Sequence, residues 1–259
     1  MKKYIFILFS LSIIIFCSSC QSDINQEQNI VKNKHTNTET KVDTAKDYNR
    51  INENQNNQVL AESYITINKV GDMVYFGKYE QDNNMSNGKE KIEWICLCKE
   101  QDKALLISTY CLDGQPYNEE FTKIDWESSS LRKWLNSTFY DEAFSDEEKS
   151  FILDQEVSNG DEKIIMDKVS LPSIDEVNTY FDSMEGRIAN FTDYAIFERE
   201  KNATSRFSDG WSDGWWLRTM SEKFEDCASD VAENGNVFSR VGTNVDCSLG
   251  VRPIIWVYI

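Results

Sequence analysis

Apolar positions divide the chain into three stretches with different patterns. Residues 4–16 form an apolar run that only two serines interrupt. Residues 21 to about 63 are crowded with Asn, Gln, Lys, Glu and Thr, and their sparse apolar residues follow no period. Such a composition cannot bury enough surface to offset the entropy lost on ordering, so we expect a disordered tether. From Tyr64 aromatic and β-branched residues recur, which predicts a single folded domain over 64–259.

The domain begins with strand patterns and continues with helical ones. Runs rich in β-branched and aromatic residues predict strands at Val70–Tyr79, Ile92–Lys99 and Ala104–Tyr110. Helical spacing then joins four apolar residues behind the capping serines 128–130, namely Leu131, Trp134, Leu135 and Phe139. Two capping boxes predict further helix starts, Ser145 with Glu148 and Ser173 with Glu176.

The end of the chain returns to strand patterns. They are Trp215–Thr219, Ala228–Val231, Val237–Val241 and Val251–Ile259. Asn234-Gly235 is typical of a hairpin turn, and Pro253 places the last strand at a sheet edge or has it begin there. Strands, then helices, then strands predict an α+β domain with a mainly antiparallel sheet and two to three helices.

The first twenty residues predict export. Lys2 and Lys3 precede an apolar run that is too short to span a bilayer, and small residues follow it. The phrase Cys17-Ser18-Ser19-Cys20 resembles the lipobox of bacterial lipoproteins. The resemblance implies that residues 1–19 are a signal peptide and that Cys20 is lipidated, for example with palmitate, at the head of a tether over 20–63. The chain would then be anchored in the cell membrane, facing outside. The alternative is an ordinary secreted protein with a free Cys20.

Charge and histidine content exclude several function classes. The formal net charge is −17, and it becomes −19 when residues 1–19, with Lys2 and Lys3, are removed. We therefore expect no nucleic-acid partner and no electrostatic attachment to anionic lipid. His35 is the one histidine and lies in the predicted tether. Histidine-based nucleophilic catalysis and most zinc chemistry are thus disfavoured, which leaves carboxylate chemistry and calcium.

Several short sequence motifs, in their order along the chain, resemble those of a known family. They are Gly71-Asp72, Phe76-Gly77-Lys78-Tyr79, Ile92-Glu93-Trp94-Ile95, Ala104–Ser108, Trp126–Asn136, Trp215-Trp216-Leu217-Arg218 and Gly250-Val251-Arg252-Pro253. Together, over 70–259, they resemble a functionally uncharacterised domain family of secreted proteins and lipoproteins from gut Gram-positive bacteria. That family is similar in turn to the C-type lectin-like fold, which the formylglycine-generating sulfatase modifiers share. The resemblance implies paired first and last strands, two helices, and a long loop region before the final strands.

Neither well-known function of that fold is carried over by the residues. Calcium-dependent lectins have Glu-Pro-Asn or Gln-Pro-Asp, whereas Gln115-Pro116-Tyr117-Asn118 has no Asp. The sulfatase modifiers have a closely spaced cysteine pair, whereas Cys227 and Cys247 are twenty positions apart. The resemblance therefore implies a fold and not an activity.

The segment Phe207–Trp216 is the first candidate binding site. Its aromatic and acidic residues, Asp209, Trp211, Asp213, Trp215 and Trp216, are the types that hold a sugar face and its hydroxyl rim. The two aspartates alternatively contribute to a calcium site, or the Asp-Gly pairs are simply turns. Because neighbouring strand residues face opposite sides, we predict that at most one of Trp215 and Trp216 is core and that the other contacts a ligand.

Two further sets of charged residues have a functional and a structural interpretation. Arg218 and Arg252 either grip a ligand carboxylate or form buried Arg–carboxylate pairs that tie the last strands together. We keep Arg218 among the candidate ligand contacts. Asp125 and Glu127 are either a glycosidase acid pair or acids that favour the start of a helix.

Besides Cys20, the mature chain has five cysteines. They are Cys96, Cys98, Cys111, Cys227 and Cys247. An odd number leaves at least one free thiol in a compartment that permits disulfides. Cys227 and Cys247 flank the Asn234-Gly235 turn at similar distances, so we predict a disulfide between them.

The leading functional hypothesis is a non-enzymatic, lipid-anchored extracellular binding module that recognises a glycan, a peptide or a surface protein. A second is an enzyme of the carboxylate-dependent glycosidase or sulfatase-modifier kind. A third is a structural envelope lipoprotein without a small ligand. No cofactor is expected apart from a calcium ion.

Overall fold

Short strands make up most of the regular structure in the computed structural model, which describes residues 65–158, 163–203 and 214–259. The predicted signal peptide and tether and the residues Asp209, Trp211 and Asp213 lie outside the described residues. Within the described part, none of the helices has the length and apolarity needed to cross a membrane.

The strands run in chain order as follows: β1 Met73–Tyr79, β2 Glu90–Lys99, β3 Lys103–Ser108, β4 Asp113–Pro116, β5 Gln155–Ser158, β6 Ile164–Asp167, β7 Trp215–Met220, β8 Cys227–Val231, β9 Val237–Asn244, β10 Ser248–Val251 and β11 Ile254–Tyr258. The helices are α1 Ser130–Trp134, α2 Tyr140–Ala143, α3 Asp146–Lys149, α4 Ile174–Tyr180, α5 Met184–Arg187 and α6 Asp193–Lys201, with a π-helical turn at Leu135–Phe139 between α1 and α2.

The strands form two larger sheets and one hairpin. One sheet has the order β1-β2-β3-β11, the other β4-β10-β7-β8-β9, and β5 pairs with β6. The pairings are antiparallel except that of β10 with β7. The predicted α+β class with mainly antiparallel sheets is therefore confirmed. The first and last strands share a sheet but lie at its two edges, so their expected direct pairing is wrong.

The predicted last strand is two strands in two different sheets. Val251 pairs with Asp113 in the five-stranded sheet, and Ile254 pairs with Ile107 in the four-stranded sheet. Arg252 and Pro253 make the crossing between them. Proline has no N–H for a ladder, which explains why the continuous apolar pattern of 251–259 is interrupted here. Pro253 does lie immediately before a strand, as predicted.

The helical predictions around residues 130–143 hold, with one irregularity. Leu131, Leu135 and Phe139 are all buried, as their helical spacing predicts. The segment passes from α1 through a single π-helical turn into α2 without leaving helical backbone angles. Both capping boxes are present, at Ser145 with Glu148 and at Ser173 with Glu176. The helices are short and more numerous than the predicted two or three, because several are single turns.

The long sequence phrase at Trp126–Asn136 forms a clamp on β6. The Asp167 carboxylate is fully buried and accepts bonds from Arg132 Nε at 2.6 Å and from Trp126 Nε1 at 2.8 Å. Arg132 also donates to the carbonyl oxygens of Glu127 and Met166. These residues thus satisfy one buried charge with charge-assisted bonds, and they fix α1 against the β5–β6 hairpin.

Asn136 extends the same clamp beyond β6. Its side-chain nitrogen donates to the carbonyl oxygens of Arg132 and Val169, at 3.1 and 2.8 Å. Its side-chain oxygen accepts from the backbone N–H groups of Lys168 and Val169. One amide therefore holds an irregular backbone segment whose polar groups need partners.

Replacing Asp167 tests the clamp. We expect Asp167→Asn to lower the free energy of unfolding by about 3–5 kcal/mol, because it removes one partner of a buried ion pair. Urea denaturation of the purified protein measures the change. The matched control is Asp154→Asn, which breaks the exposed pair with Lys168 at 3.1 Å and should cost less than about 1 kcal/mol. Equal losses in the two variants would contradict the clamp.

Candidate functional site

Trp215 and Trp216 are both core residues. Their exposed fractions are 1% and 0%. Trp215 packs with Cys111, Val177 and Val231 on one side of β7, and Trp216 belongs to the main core on the other. The prediction that one of them would be free to contact a ligand is wrong. Strand alternation does send them to opposite faces, but both faces of this sheet are covered.

Each tryptophan also uses its polar atom inside the protein. Trp215 Nε1 donates to the carbonyl oxygen of Arg187 at 3.0 Å, and Trp216 Nε1 donates to that of Gln115 at 2.8 Å. The remaining nominated residues of this segment, Asp209, Trp211 and Asp213, lie outside the described residues, so their roles in binding a glycan or calcium stay predictions.

Arg218 forms a buried pair with a carboxylate of its own chain. Its Nη1 donates to Glu176 Oε2 at 2.5 Å and to the carbonyl oxygen of Leu171 at 2.7 Å. Glu176 is also the capping-box residue of α4, so the pair ties β7 to that helix. Arg218 borders a polar cleft of about 640 Å³, lined also by Ser158, Ser173, Asp175, Thr219, Met220 and Ser221. The geometry matches the structural interpretation of Arg218, and a ligand contact there stays a prediction.

Arg252 is buried without a carboxylate partner among the described residues. Its Nε donates to the carbonyl oxygen of Ser108 at 2.9 Å, and its Nη1 donates to that of Arg187 at 3.2 Å. The guanidinium lies 5.2 Å from the Trp215 ring centre and 5.6 Å from that of Phe181. Burial lowers the pKa of Arg252 to about 10, so the group remains charged at neutral pH. The predicted Arg–carboxylate pair is wrong here, because carbonyl oxygens and aromatic faces solvate the cation instead.

Asp125 and Glu127 have local structural partners. Asp125 Oδ1 accepts from the backbone N–H of Ser128 at 2.8 Å, in the turn that leads into α1. Glu127 forms an ion pair with Lys163. The Asp125 contact agrees with an acid that helps to start a helix, whereas the Glu127 contact joins this turn to the residue before β6.

Three carboxylates converge in the turn between β1 and β2. Single oxygens of Glu80, Asp82 and Glu90 lie within 4.8 Å of one another. Burial and the neighbouring acids raise the pKa of Glu80. The backbone N–H of Asn84 donates to both Glu80 and Asp82, and that of Gln81 donates to Glu90. The carboxylates therefore hold the turn itself.

Cys227 and Cys247 are free thiols, so the predicted disulfide is not formed in this structure. They line the same cavity. Burial raises the pKa of Cys227 to about 11 and that of Cys247 to about 12, and nearby aspartates add to both shifts. The Cys227 thiol lies 3.3 Å from Asn244 Oδ1 and donates to it. Both side chains are thus neutral at physiological pH.

The cavity that these thiols line has mainly apolar walls. Its volume is about 320 Å³, and we refer to it as the Phe224 pocket. It is lined by Phe121, Phe224, Asp226, Cys227, Val241, Gly242, Thr243, Asn244 and Cys247. Three of the lining side chains remain largely exposed: Phe121 at 46%, Phe224 at 39% and Val241 at 51%. The cavity is therefore bordered by exposed apolar side chains.

Two loops form the walls of the Phe224 pocket. The 119–124 loop follows β4, and the 221–226 loop connects β7 to β8. The backbone N–H of Ile124 donates to the carbonyl oxygen of Glu225 at 3.2 Å, which joins the loops. Ser221 Oγ accepts from the N–H of Phe224 at 2.9 Å and donates to its carbonyl oxygen at 3.0 Å. Phe224 is therefore positioned by its own turn.

A bulge in β9 makes the third wall. Between the pairs Ala228–Thr243 and Asp230–Phe238, β8 has one residue and β9 has four. Gly242 adopts a φ of +66°, and a Cβ there would lie 2.4 Å from the carbonyl oxygen of Ala228. A larger residue at this position would therefore displace the bulge.

The sequence alone does not reveal the pocket, because its walls come from distant segments. Phe121 is more than a hundred positions from Phe224. The one available signal is a lone phenylalanine in each of two polar, acidic loops, Glu-Glu-Phe at 119–121 and Lys-Phe-Glu at 223–225. In contrast, two of the tryptophans that the sequence nominated, Trp215 and Trp216, are in the core.

The raised thiol pKa values predict slow alkylation. At about pH 8, iodoacetamide should modify Cys227 and Cys247 at least about a hundredfold more slowly than in the urea-unfolded protein, because little thiolate is present. The rates should rise about tenfold per pH unit until the folded pKa values are approached. Mass spectrometry of peptides measures both. Rapid labelling of the folded protein, or recovery of a Cys227–Cys247 disulfide, would contradict the structure.

Asp230 predicts a pH dependence of stability. Its side chain is buried on β8, burial raises its pKa to about 6, and Thr243 Oγ1 donates to it at 2.9 Å. Because the folded pKa is raised, the contribution of Asp230 to the free energy of unfolding is complete below about pH 4. That contribution is lost as the pH rises through about 6. Asp230→Asn should therefore gain melting temperature relative to the native protein between those pH values. The control is the exposed Asp182→Asn, and a pH-independent difference for Asp230→Asn would contradict the assignment.

One family matches the chain. A family model described as "Domain of unknown function (DUF6273)" covers residues 101–259, which is more than half of the sequence and includes every residue of the Phe224 pocket. Searches of curated proteins and of solved structures give no match.

Proposed function

Since the chain belongs to the DUF6273 family, whose description names no activity, we propose its function from geometry: it is a non-enzymatic binding module that takes an apolar group of its ligand into the Phe224 pocket. We further propose that it is anchored through a lipidated Cys20 on the outer face of the cell membrane. The first twenty residues support that placement through their charged start, apolar run and small residues before Cys20.

The observation that supports this proposal is an open cavity whose apolar walls face solvent. A volume of about 320 Å³ accommodates one aromatic or branched aliphatic group. Leaving Phe121, Phe224 and Val241 exposed gains nothing for folding, whereas covering them with a ligand would remove apolar surface from water. A binding role explains this exposure.

The chemistry of the described polar groups favours binding over catalysis. The arginine and carboxylate side chains of the strongest sequence phrases are engaged in structural bonds, as at Arg132–Asp167 and Arg218–Glu176. Burial and nearby aspartates, including Asp226 with its Oδ1 at 3.7 Å from the Cys227 sulfur, raise the pKa values of the two pocket thiols and so disfavour a thiolate. The pocket therefore offers shape and apolar surface rather than an activated nucleophile.

The C-type lectin-like relationship is part of the same proposal. An α+β domain in which the first and last strands share one sheet, with loops beside a second sheet, supports it. A glycan is the second candidate ligand. It is favoured by two exposed phenylalanine faces beside the polar side chains of Asp226, Thr243 and Asn244.

Array screens with three proteins test the proposed function. The native protein, Phe224→Ala and the control Phe238→Ala are applied to peptide and glycan arrays. Phe224 and Phe238 have exposed fractions of 39% and 50%, but Phe238 does not line the pocket. We expect hits with an apolar group, at least about tenfold weaker in Phe224→Ala and unchanged in Phe238→Ala. No binding, or binding that ignores Phe224, would contradict the proposal.

A further inference from the structure

The geometry points to a cationic peptide as the ligand of the Phe224 pocket, with an aromatic or aliphatic side chain in the cavity and lysine or arginine residues beside it. This inference rests on the proposed binding function and names its ligand class. It is carried by the charge distribution of the two loops, by the mainly apolar walls of the cavity and by the net charge of the chain.

The rim of the pocket is acidic. The 119–124 and 221–226 loops contain five acids and two lysines: Glu119, Glu120, Glu222, Glu225 and Asp226 against Lys123 and Lys223. Lys123 is paired with Glu225 at 2.5 Å, and the Lys223 ammonium lies 4.8 Å from the Phe224 ring centre. Glu119, Glu120 and Glu222 are exposed. With Arg240 of the β9 bulge included, the three walls still have five acids against three cations, and this excess would attract cations next to the cavity.

The walls of the pocket are mainly apolar, and its two thiols are neutral. Cys227 and Cys247 carry no charge at physiological pH because burial raises their pKa values. A lysine or arginine head group inside the cavity would lose its hydration against mainly apolar walls, with Asp226 as the one acid among the lining residues. The ligand's charges thus belong at the rim and its apolar side chain in the cavity, so the ligand carries both.

The overall charge supports the same choice. The chain has 44 acidic and 27 basic residues, a net charge of −17. This field attracts cationic ligands and repels anionic ones, so acidic peptides and anionic lipids are poor candidates. The same field adds no attraction for a neutral glycan.

We do not expect a peptide ligand to pair with the β9 bulge as an additional strand. β9 is the last strand of its sheet, but the carbonyl oxygens of Ser239 and Arg240 already accept from the N–H groups of Glu222 and Lys223. A peptide would therefore be held by an inserted side chain and by ion pairs rather than by a continuous backbone ladder.

Four matched peptides test the inference with the purified full-length protein. The first has one tryptophan between two pairs of lysines. In the others, glutamines replace the lysines, glutamates replace the lysines, or glycine replaces the tryptophan. We expect the lysine–tryptophan peptide to bind at least about tenfold more tightly than each of the others. Its affinity should fall several-fold between about 0.05 M and about 0.5 M salt. Fluorescence anisotropy of labelled peptides measures the affinities.

Protein variants separate the rim from the cavity. The double variant Glu120→Gln with Glu222→Gln should weaken binding of the lysine–tryptophan peptide and leave binding of the glutamine–tryptophan peptide unchanged. Phe224→Ala should weaken binding of both peptides. The control double variant, Glu156→Gln with Glu200→Gln, removes the same charge from exposed sites on β5 and α6. An equal loss in the two double variants would overturn the role of the rim.

The outcomes distinguish this inference from the proposed function. If the glutamine–tryptophan peptide binds as tightly as the lysine–tryptophan peptide and depends on Phe224, the binding function holds and the cationic preference is wrong. If glycans alone bind through Phe224, the ligand class is wrong. If neither peptides nor glycans bind, both proposals fail.

Discussion

The fold depends on the burial of one cation at the junction of its two sheets. Arg252 lies on the two-residue crossing between β10 and β11, and it reaches the carbonyl oxygen of Ser108 at the end of β3. It shares the carbonyl oxygen of Arg187 with Trp215 of β7. Removing a guanidinium from water is costly, and here oriented carbonyls and two ring faces offset that cost. The same contacts thus fix how the crossing residues relate to both sheets.

A consequence of covering both faces of β7 is that its two tryptophans belong to the core. Trp215 and Trp216 are packed on opposite sides, and their indole nitrogens have backbone partners. The exposed apolar side chains of the Phe224 pocket lie instead on the 119–124 and 221–226 loops and on the β9 bulge.

Local signals in the sequence predicted local structure well. The strands around residues 73–108, both capping boxes and the hairpin at Asn234-Gly235 are confirmed, because each depends on neighbouring residues. The break at Arg252-Pro253 and the double burial of Trp215 and Trp216 were not foreseen. Period-two alternation assigns a side chain to a face, but it does not say whether that face is covered. The pocket was also missed, since three segments separated along the chain form it.

The wall that β9 contributes to the pocket is encoded by backbone conformation rather than by side-chain identity. Gly242 fixes the bulge through its positive φ and its close approach to Ala228, whereas Val241 and Phe224 only line the space that the bulge creates. Exchanges at those two exposed positions would leave the bulge intact. The shape of the cavity can therefore vary among related chains through exposed side chains, while one glycine preserves the backbone around it.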